Sequence, residues 1–389
     1  MAAEALDPMG VAEKIVDQIE KKWEELKTIN LMIIGKTGVG KSTLINALFG
    51  EKRVNTGIGR PITSGIERIA ADHLTIFDTP GLELSGENSF SNLADQIVKV
   101  INDEVDKGTI DDAVHCILYC VSVTSARFEP HEADFIKNLQ NRIKTHNIPV
   151  FIVLTKAISK SDTADLKKHI ESLDLKIKAV VPVLAEDYYV DEDYTAKKRG
   201  VPELTRLISE AVPESVKSTF DAIQIANLEI KRKNALAVVG SSAAIAAGIG
   251  AVPIPFSDAI LLVPEQVGML AGITAVYGVP VEKATLAAIL SATIGTGGAV
   301  VLGKTIVAGL LKLIPGAGSV IGGAISAATA AALTFALGEA YIFIMSMVLK
   351  GEISPEFIKT EEGIKQVTKI FMERMRVARN DDGSPKIVE

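Results

Sequence analysis

Short apolar runs alternate with polar, helix-like stretches from about residue 28 to residue 212. This alternation is typical of a mostly parallel sheet flanked by helices. The predicted strands are Ile29–Ile34, Glu67–Ala71, Leu74–Asp78, Val114–Val123, Val150–Thr155 and Ala179–Leu184. We therefore predict an α/β domain over residues 28–215, with its ligand beyond the carboxyl ends of the strands.

The first 27 residues carry apolar side chains at helical spacing. Asp7 and Pro8 suit the N-cap and the first helical position. The apolar positions that follow are Val11, Ile15, Ile19, Trp23 and Leu26. The other side is rich in Glu and Lys, so we predict an amphipathic helix that packs on another helix.

Charged residues almost disappear between Leu236 and Leu349. The charged residues in this stretch are Asp258, Glu265, Glu282, Lys283, Lys304, Lys312 and Glu339. Ala and Gly dominate it, which indicates closely packed helices. We predict an all-α domain over residues 216–379, ending in an amphipathic helix around Val367 and followed by a disordered tail, 380–389.

Two interpretations of this apolar domain stay open. Ala284–Gly303 and Leu313–Gly338 are uncharged, and each is long enough to cross a hydrocarbon core of about 30 Å. Small residues rather than Leu and Phe build them, and several prolines interrupt the region. The domain is therefore either a buried or membrane-touching helical bundle or a set of transmembrane hairpins. Lys231, Arg232 and Lys233, just before it, are candidates for contact with anionic headgroups.

Residues 35–42 fit the pattern G-x-x-x-x-G-K-[ST] between a predicted strand and a predicted helix. Glycines let backbone N–H groups turn toward phosphate oxygens, Lys41 reaches the terminal phosphates, and Ser42 ligates Mg²⁺. The predicted nucleotide contacts are Gly35, Lys36, Thr37, Gly38, Val39, Gly40, Lys41, Ser42 and Thr43. The motif predicts a nucleoside triphosphate bound with Mg²⁺.

Two further segments suit the γ-phosphate end of such a ligand. Asp78-Thr79-Pro80-Gly81 matches D-x-x-G, in which Asp78 holds Mg²⁺ through a water and the Gly81 N–H senses the γ-phosphate. Gly59–Ser64 is predicted to be a flexible loop whose Thr63 contacts Mg²⁺ and the γ-phosphate. Lys41, Thr63 and Gly81 are the predicted catalytic groups, and Ser42, Thr63 and Asp78 the predicted metal ligands.

With these motifs in this order, the chain resembles the Era-type, translation-factor-like GTPases over roughly residues 29–190. The resemblance implies GTP and GDP as ligands and a base motif, [NT]-K-x-D, after the fifth strand. Thr155 and Lys156 match that motif, whereas Ile158 stands where the family has an aspartate. The Ala185 N–H is implied to contact the guanine carbonyl.

The resemblance also implies GTP hydrolysis by positioning of water and stabilisation of charge. Leu82 stands where related enzymes carry a water-positioning Gln. A low intrinsic rate, raised by self-association or a partner, is therefore expected.

A second resemblance concerns the apolar domain. Residues 252–262 and 313–318 are similar to the helical domain of immunity-related GTPases and to the apolar domain of bacterial YcjF-like proteins. This likeness implies a helical domain made from both chain ends, a homodimer through the G domain, and attachment to membrane lipid.

The net charge of −7 argues against a nucleic-acid binder. Cys116 and Cys120 are expected to be buried free thiols, and the N-terminus suggests a cytoplasmic protein. The leading hypothesis is a peripherally attached GTPase switch. The alternatives are an integral membrane protein with a regulatory G domain, and an Era-like ribosome-assembly factor, which would need a basic RNA-binding module.

Overall fold

The computed structural model describes residues 8–50, 58–63, 66–79, 87–108, 112–125, 127–191, 193–250, 258–278 and 327–377. The chain divides into two compact units. One is Leu26–Asn227, and the other combines Met1–Glu25 with Leu228–Glu389.

The first unit is built on a seven-stranded sheet of order β2-β3-β4-β1-β5-β6-β7. Its strands are β1 (Ile29–Ile34), β2 (Ile58–Thr63), β3 (Ile66–Ala71), β4 (Leu74–Asp78), β5 (Cys116–Ser122), β6 (Val150–Thr155) and β7 (Ala179–Pro182). Neighbours from β4 to β7 in this order pair in parallel, whereas β2, β3 and β4 are antiparallel. Every residue of β1, β5 and β6 is buried, as expected for parallel strands covered on both faces.

Six helices accompany this sheet in the described part of the unit. They are α2 (Lys41–Phe49), α3 (Glu87–Val105), α4 (Pro130–Arg142), α5 (Lys160–Glu171), α6 (Val201–Ala211) and α7 (Glu214–Ile223). The register pairs Ile33 with Asp78 and Ser122 with Thr155. The carboxyl ends of β1, β4, β5 and β6 therefore meet at one edge of the sheet, where the phosphate-binding motif begins.

The structure corrects one predicted element. Gly59–Ser64 was expected to be a flexible loop, but β2 spans Ile58–Thr63 and pairs with β3. Its Gly and Pro residues favoured the loop prediction. An edge strand tolerates Pro61 because one side of its backbone has no partner strand, and the register shifts between Pro61 and Thr63. A two-stranded hairpin of β8 (Tyr188–Tyr189) and β9 (Thr195–Ala196) was also not predicted.

The second unit is helical in its described residues. It contains α1 (Pro8–Glu24), α8 (Leu228–Gly250), α9 (Asp258–Tyr277), α10 (Ala327–Leu349), α11 (Pro355–Ile358) and α12 (Glu361–Val377). Helix α8 packs on α9 and α10, and α1 packs on α9. The predicted fold class, an α/β G domain plus an α-helical domain formed by the N-terminal helix and the C-terminal region, is confirmed.

Close helix packing in this unit depends on small residues. A Cβ atom added at Gly338 of α10 would collide with the side chain of Val239 on α8, and one added at Gly272 of α9 would lie 2.9 Å from Val238 Cγ1. Glycine at these points lets the backbones approach.

Lys231 does not face solvent as its sequence context suggested. It is fully buried, and its Nζ donates to the carbonyls of Val276 and Tyr277 at the end of α9, each at 3.0 Å. A cation placed there satisfies the last carbonyls of the helix and its partial negative charge. Arg232 pairs with Glu339 of α10 at 3.1 Å. Lys231 is thus a structural cap inside the bundle.

Of the two candidate spans, Ala284–Gly303 lies outside the described residues, and the described end of Leu313–Gly338 belongs to α10. No helix within the described ranges combines the length and apolarity needed to cross a membrane.

Candidate nucleotide-binding site

The phosphate-binding motif forms a loop between β1 and α2, and two of its glycines are required by its shape. A Cβ atom at Gly35 would lie 2.7 Å from the Cys120 carbonyl oxygen, so only glycine fits against β5. Gly40 precedes α2 with φ of 100°, a left-handed conformation that other residues adopt at a cost. The loop therefore delivers its chain into the first turn of α2, where free N–H groups face a ligand.

Lys41 is the first residue of α2 and is 9% exposed. Its Nζ donates to the Gly35 carbonyl oxygen at 2.9 Å and lies 4.0 Å from Asp78 Oδ1. The ammonium group is therefore held at the mouth of the loop, between the ends of β1 and β4. Ser42 and Thr43 follow it, exposed and half-buried respectively.

Asp78 ends β4 and carries an unsatisfied buried atom. Its Oδ1 has no hydrogen-bond partner. The pKa of Asp78 is raised to about 6, mainly by burial. The nearby Lys41 opposes this rise, and Glu67 adds to it. A buried carboxylate oxygen without a donor suits a hydrated divalent cation, because the cation supplies both charge and water donors. The residues present therefore fit Mg²⁺, with Asp78 and Ser42 as the groups that would hold it.

The turn after β4 is fixed by Thr79. Its backbone N–H donates to the Ile33 carbonyl at 3.1 Å, and its hydroxyl donates to the same oxygen at 3.3 Å. This pair locks the end of β4 against β1. Gly81, the predicted γ-phosphate sensor, lies outside the described residues. For Thr63 the structure gives the backbone, which pairs with Ile66 at the end of β2.

Thr155 and Lys156, predicted to contact the base, brace the phosphate loop. Thr155 Oγ1 lies 2.5 Å from the Val39 carbonyl oxygen and 3.1 Å from that of Val121. Lys156 Nζ donates to the Gly38 carbonyl at 2.7 Å, from a left-handed backbone with φ of 51°. Two loop carbonyls are thereby turned toward β6, which leaves the adjacent N–H groups for a ligand.

In the segment after Lys156, Ile158 occupies the position at which the base motif has a guanine-recognising aspartate. Ile158 is half-buried, and its N–H donates to the Lys156 carbonyl at 2.8 Å. The next aspartate along the chain, Asp162, lies in the first turn of α5, where its N–H bonds to Ser159 Oγ.

Arg199 is a neighbour that sequence reasoning missed. Its guanidinium donates to the Ala157 carbonyl at 2.6 Å and the Ile158 carbonyl at 3.1 Å, and its backbone pairs with Leu184, next to Ala185. Arg199 thus joins the two segments predicted to recognise the base. Some forty residues separate it from Ile158, and no local pattern marks it.

Glu132 of α4 was also missed. It is 3% exposed, and its Oε2 lies 3.3 Å from Lys36 Nζ. A cleft of about 270 Å³ opens beside the loop, bordered by Lys36, Thr37, Arg127, Glu132 and Lys156.

Cys116 and Cys120 are free and fully buried in β5, as predicted. Burial raises the pKa of Cys120 to about 12, so this thiol is protonated and unreactive. Neither cysteine adds chemistry to the site.

Comparison with known proteins agrees with this geometry. Residues 30–156 match the family model described as "50S ribosome-binding GTPase". Residues 216–368 match "Domain of unknown function (DUF697)". The first unit is therefore similar to a GTPase G domain over the matched residues, and most of the second match falls in the helical unit. Of the two sequence resemblances, the GTPase one is confirmed at this general level, and the Era type is not.

Septins are among the similar curated proteins. Neuronal-specific septin-3 from Rattus norvegicus is 27% identical over 240 residues, which is 55% of this chain and 64% of the septin. Septin-9 from Homo sapiens is 30% identical over 229 residues, or 52% of this chain and 36% of that protein. The matches thus cover less than two thirds of either relative.

Among solved structures, a probable GTP-binding protein engB matches with a TM-score of 0.30 at 19% identity, covering 47% of this chain and 97% of that one. Toc33 from Arabidopsis thaliana in complex with Mg²⁺ and GMPPNP matches with a TM-score of 0.29 at 16% identity, covering 55% and 93%. These TM-scores are low, so the fold assignment rests on the sheet topology and the family model.

Proposed function

We propose that this protein is a GTP-binding switch that hydrolyses GTP slowly with Mg²⁺. The observation that supports this most is the phosphate loop, whose Lys41 lies at its mouth beside the unpaired Asp78 oxygen. Lys41 would exchange the Gly35 carbonyl for phosphate oxygens, which offer it more charge. Bound Mg²⁺ would neutralise phosphate charge and orient the terminal group. Ser42, Thr63 and Asp78 would hold the ion.

Hydrolysis by this site would depend on charge stabilisation rather than on a strong base. Asp78 is committed to the cation, and Lys41 to the phosphates. The loop N–H groups and Lys41 would stabilise negative charge that develops on the γ-phosphate and its leaving group. Thr63 and Gly81 would contact the γ-phosphate directly and report its loss. Leu82 stands where a Gln would orient the attacking water, which is consistent with slow GTP hydrolysis that becomes faster when G domains dimerise.

Guanine preference is part of the proposal, although Ile158 cannot accept from the base. The Ala185 N–H would bind the guanine carbonyl, and Arg199 would hold the segments that carry Ala185 and Ile158 together. With one bidentate contact absent, we expect a GTP preference weaker by about 1–3 kcal/mol than that of a site with an aspartate.

The helical unit gives the switch its output in this proposal. Its apolar character supports peripheral attachment of a cytoplasmic protein to membrane lipid, with the nucleotide state controlling homodimerisation and attachment. Flotation of the purified chain with anionic liposomes, with GDP or a GTP analogue, tests this part. Equal distribution in both states would refute nucleotide control.

The central test is the variant Lys41→Ala. We expect it to lose binding of a fluorescent GTP analogue in the presence of Mg²⁺, because Lys41 is the cation that the first turn of α2 places beside Asp78, between the ends of β1 and β4. Lys99→Ala, which removes an exposed lysine of α3, is the matched control and should bind like the wild type. Competition with unlabelled GTP and ATP reports base preference in the same titration. Undiminished binding by Lys41→Ala would contradict the proposed function.

A further inference from the structure

The second residue of the phosphate loop, Lys36, makes an ion pair with a residue that is not among the predicted nucleotide contacts. Its Nζ lies 3.3 Å from Glu132 Oε2. The Lys36 side chain is 39% exposed, whereas the Glu132 side chain is 4% exposed. Burying a carboxylate this deeply costs free energy unless a cation and hydrogen-bond donors surround it, and Lys36 of the loop supplies the cation.

Glu132 is held by three parts of the fold. The Tyr119 hydroxyl of β5 donates to Oε1 at 3.0 Å, the Glu129 N–H donates to Oε2 at 3.0 Å, and Lys36 supplies the cation. Burial and the neighbouring Glu132 raise the pKa of Tyr119 well above its usual value, so the phenol keeps its proton and remains a donor. The carboxylate thus links the central strand β5, helix α4 and the phosphate loop.

Helix α4 is a rigid support for this carboxylate. Its N-terminus has a reciprocal capping box between Glu129 and Glu132, with Pro130 at the first helical position. Ala133, Phe135 and Ile136 bury the adjoining turn in the core. A side chain at such a site has little freedom to follow a moving loop.

The opposite flank of the loop is tied down separately. Lys156 and Thr155 hold the carbonyls of Gly38 and Val39. At the entry of the loop, Lys41 Nζ holds the Gly35 carbonyl, and the Lys36–Glu132 pair holds the next residue against α4. Without the pair, the Lys36 side chain would lose its tie to α4.

We propose that Glu132 is a positioning residue that, through Lys36, holds the phosphate loop in its polyphosphate-binding conformation. This role rests on the proposed nucleotide binding. A ligand binds less tightly when fewer of the loop conformers can bind it, so removing the Glu132 carboxylate weakens nucleotide binding without removing a predicted ligand contact. A purely structural role for Glu132 would instead lower stability and leave the affinity of the folded chain unchanged.

The test is a double-mutant cycle on the full chain with Glu132→Gln, Lys36→Met and both together. The dissociation constant of a fluorescent GDP with Mg²⁺ is measured for each, and the melting temperature is recorded alongside. Each single change should weaken binding roughly tenfold. The double variant should bind no less tightly than the weaker-binding single variant, because either single change already breaks the ion pair. Lys36→Arg should restore affinity, since it keeps the cation.

Lys99→Met makes the same substitution at an exposed lysine of α3 and should bind like the wild type. Lys36→Met removes a half-exposed side chain, so its affinity can be measured even if Glu132→Gln does not fold. Wild-type affinity in Lys36→Met, or additive losses in the double variant, would overturn the positioning role alone. A wild-type chain that binds no nucleotide would overturn the proposed function as well.

Discussion

The Asp78 carboxylate, whose Oδ1 accepts no hydrogen bond, gives the sharpest prediction, because it should make the G domain less stable when no nucleotide is bound. Burial raises its pKa from 3.8 to about 6. The folded chain therefore binds the proton more tightly than the unfolded chain does. As pH rises from about 4 to about 6, this group removes stability, and above that window the full penalty remains.

The size of the penalty follows from the shift. A difference of about two pKa units at about 1.4 kcal/mol each gives an upper limit of roughly 3 kcal/mol. The side chain is 26% exposed, so solvent screens part of this, and we expect about 1–2 kcal/mol. Asp78→Asn removes the charge at nearly constant volume. In the absence of Mg²⁺ and nucleotide, it should stabilise the G domain by that amount at pH 7.5.

Hydrogen exchange of the β1 and β4 amides, followed by mass spectrometry, measures this locally, because Trp23 belongs to the other unit and would not report on the G domain. Wild type and Asp78→Asn are compared at each pH, which cancels the intrinsic exchange rate. The gain should shrink toward pH 5 and vanish near pH 4. The same variant should lose the Mg²⁺ dependence of nucleotide affinity. A variant less stable than the wild type at pH 7.5 would refute the argument.

Two further changes test the base site and the helical unit. Ile158→Asp restores the missing acceptor beside Arg199 and should raise the preference for GTP over ATP by about 1–3 kcal/mol in competition titrations. Asp162→Asn is its control, and an unchanged preference in Ile158→Asp would show that this position does not face the base. Gly338→Ala places a methyl group against Val239 and should lower the free energy of unfolding of the helical unit by about 1–3 kcal/mol in urea titrations followed by Trp23 fluorescence. Adding Val239→Ala should recover part of the loss, whereas equal stability of Gly338→Ala and the wild type would mean that α8 and α10 are not in close contact there.

The local sequence pattern was sufficient to predict the limits of a strand where an apolar run ends at polar residues. The predicted limits of β1, β4 and β6 are those of the structure, because each is a mainly apolar run that stops at a polar or turn residue. The phosphate loop was equally readable, since its chemistry resides in consecutive residues. The misread segment is β2, where a proline and glycines oppose a strand, and pairing with β3 overrides them.

Contacts between distant residues could not be predicted. In their local sequence, Glu132 and Arg199 look like ordinary charged surface residues, one on a helix and one after a hairpin. Their roles appear only when β5, α4 and β7 bring them to Lys36 and Ile158. Thr155 and Lys156 were found by motif, but the motif did not show that their polar atoms bind the loop carbonyls.

The composition of the helical unit from two separate stretches has a consequence for biosynthesis. Helix α1 precedes the nucleotide-binding unit in the chain, yet the partner on which it packs, α9, is translated more than two hundred residues after it. Until then its apolar stripe has no native surface to cover it, while the entire nucleotide-binding unit between them can already fold. Nascent chains of this protein should therefore recruit holdase chaperones at α1, and a bulky domain fused directly before α1 should impair the helical bundle while sparing nucleotide binding.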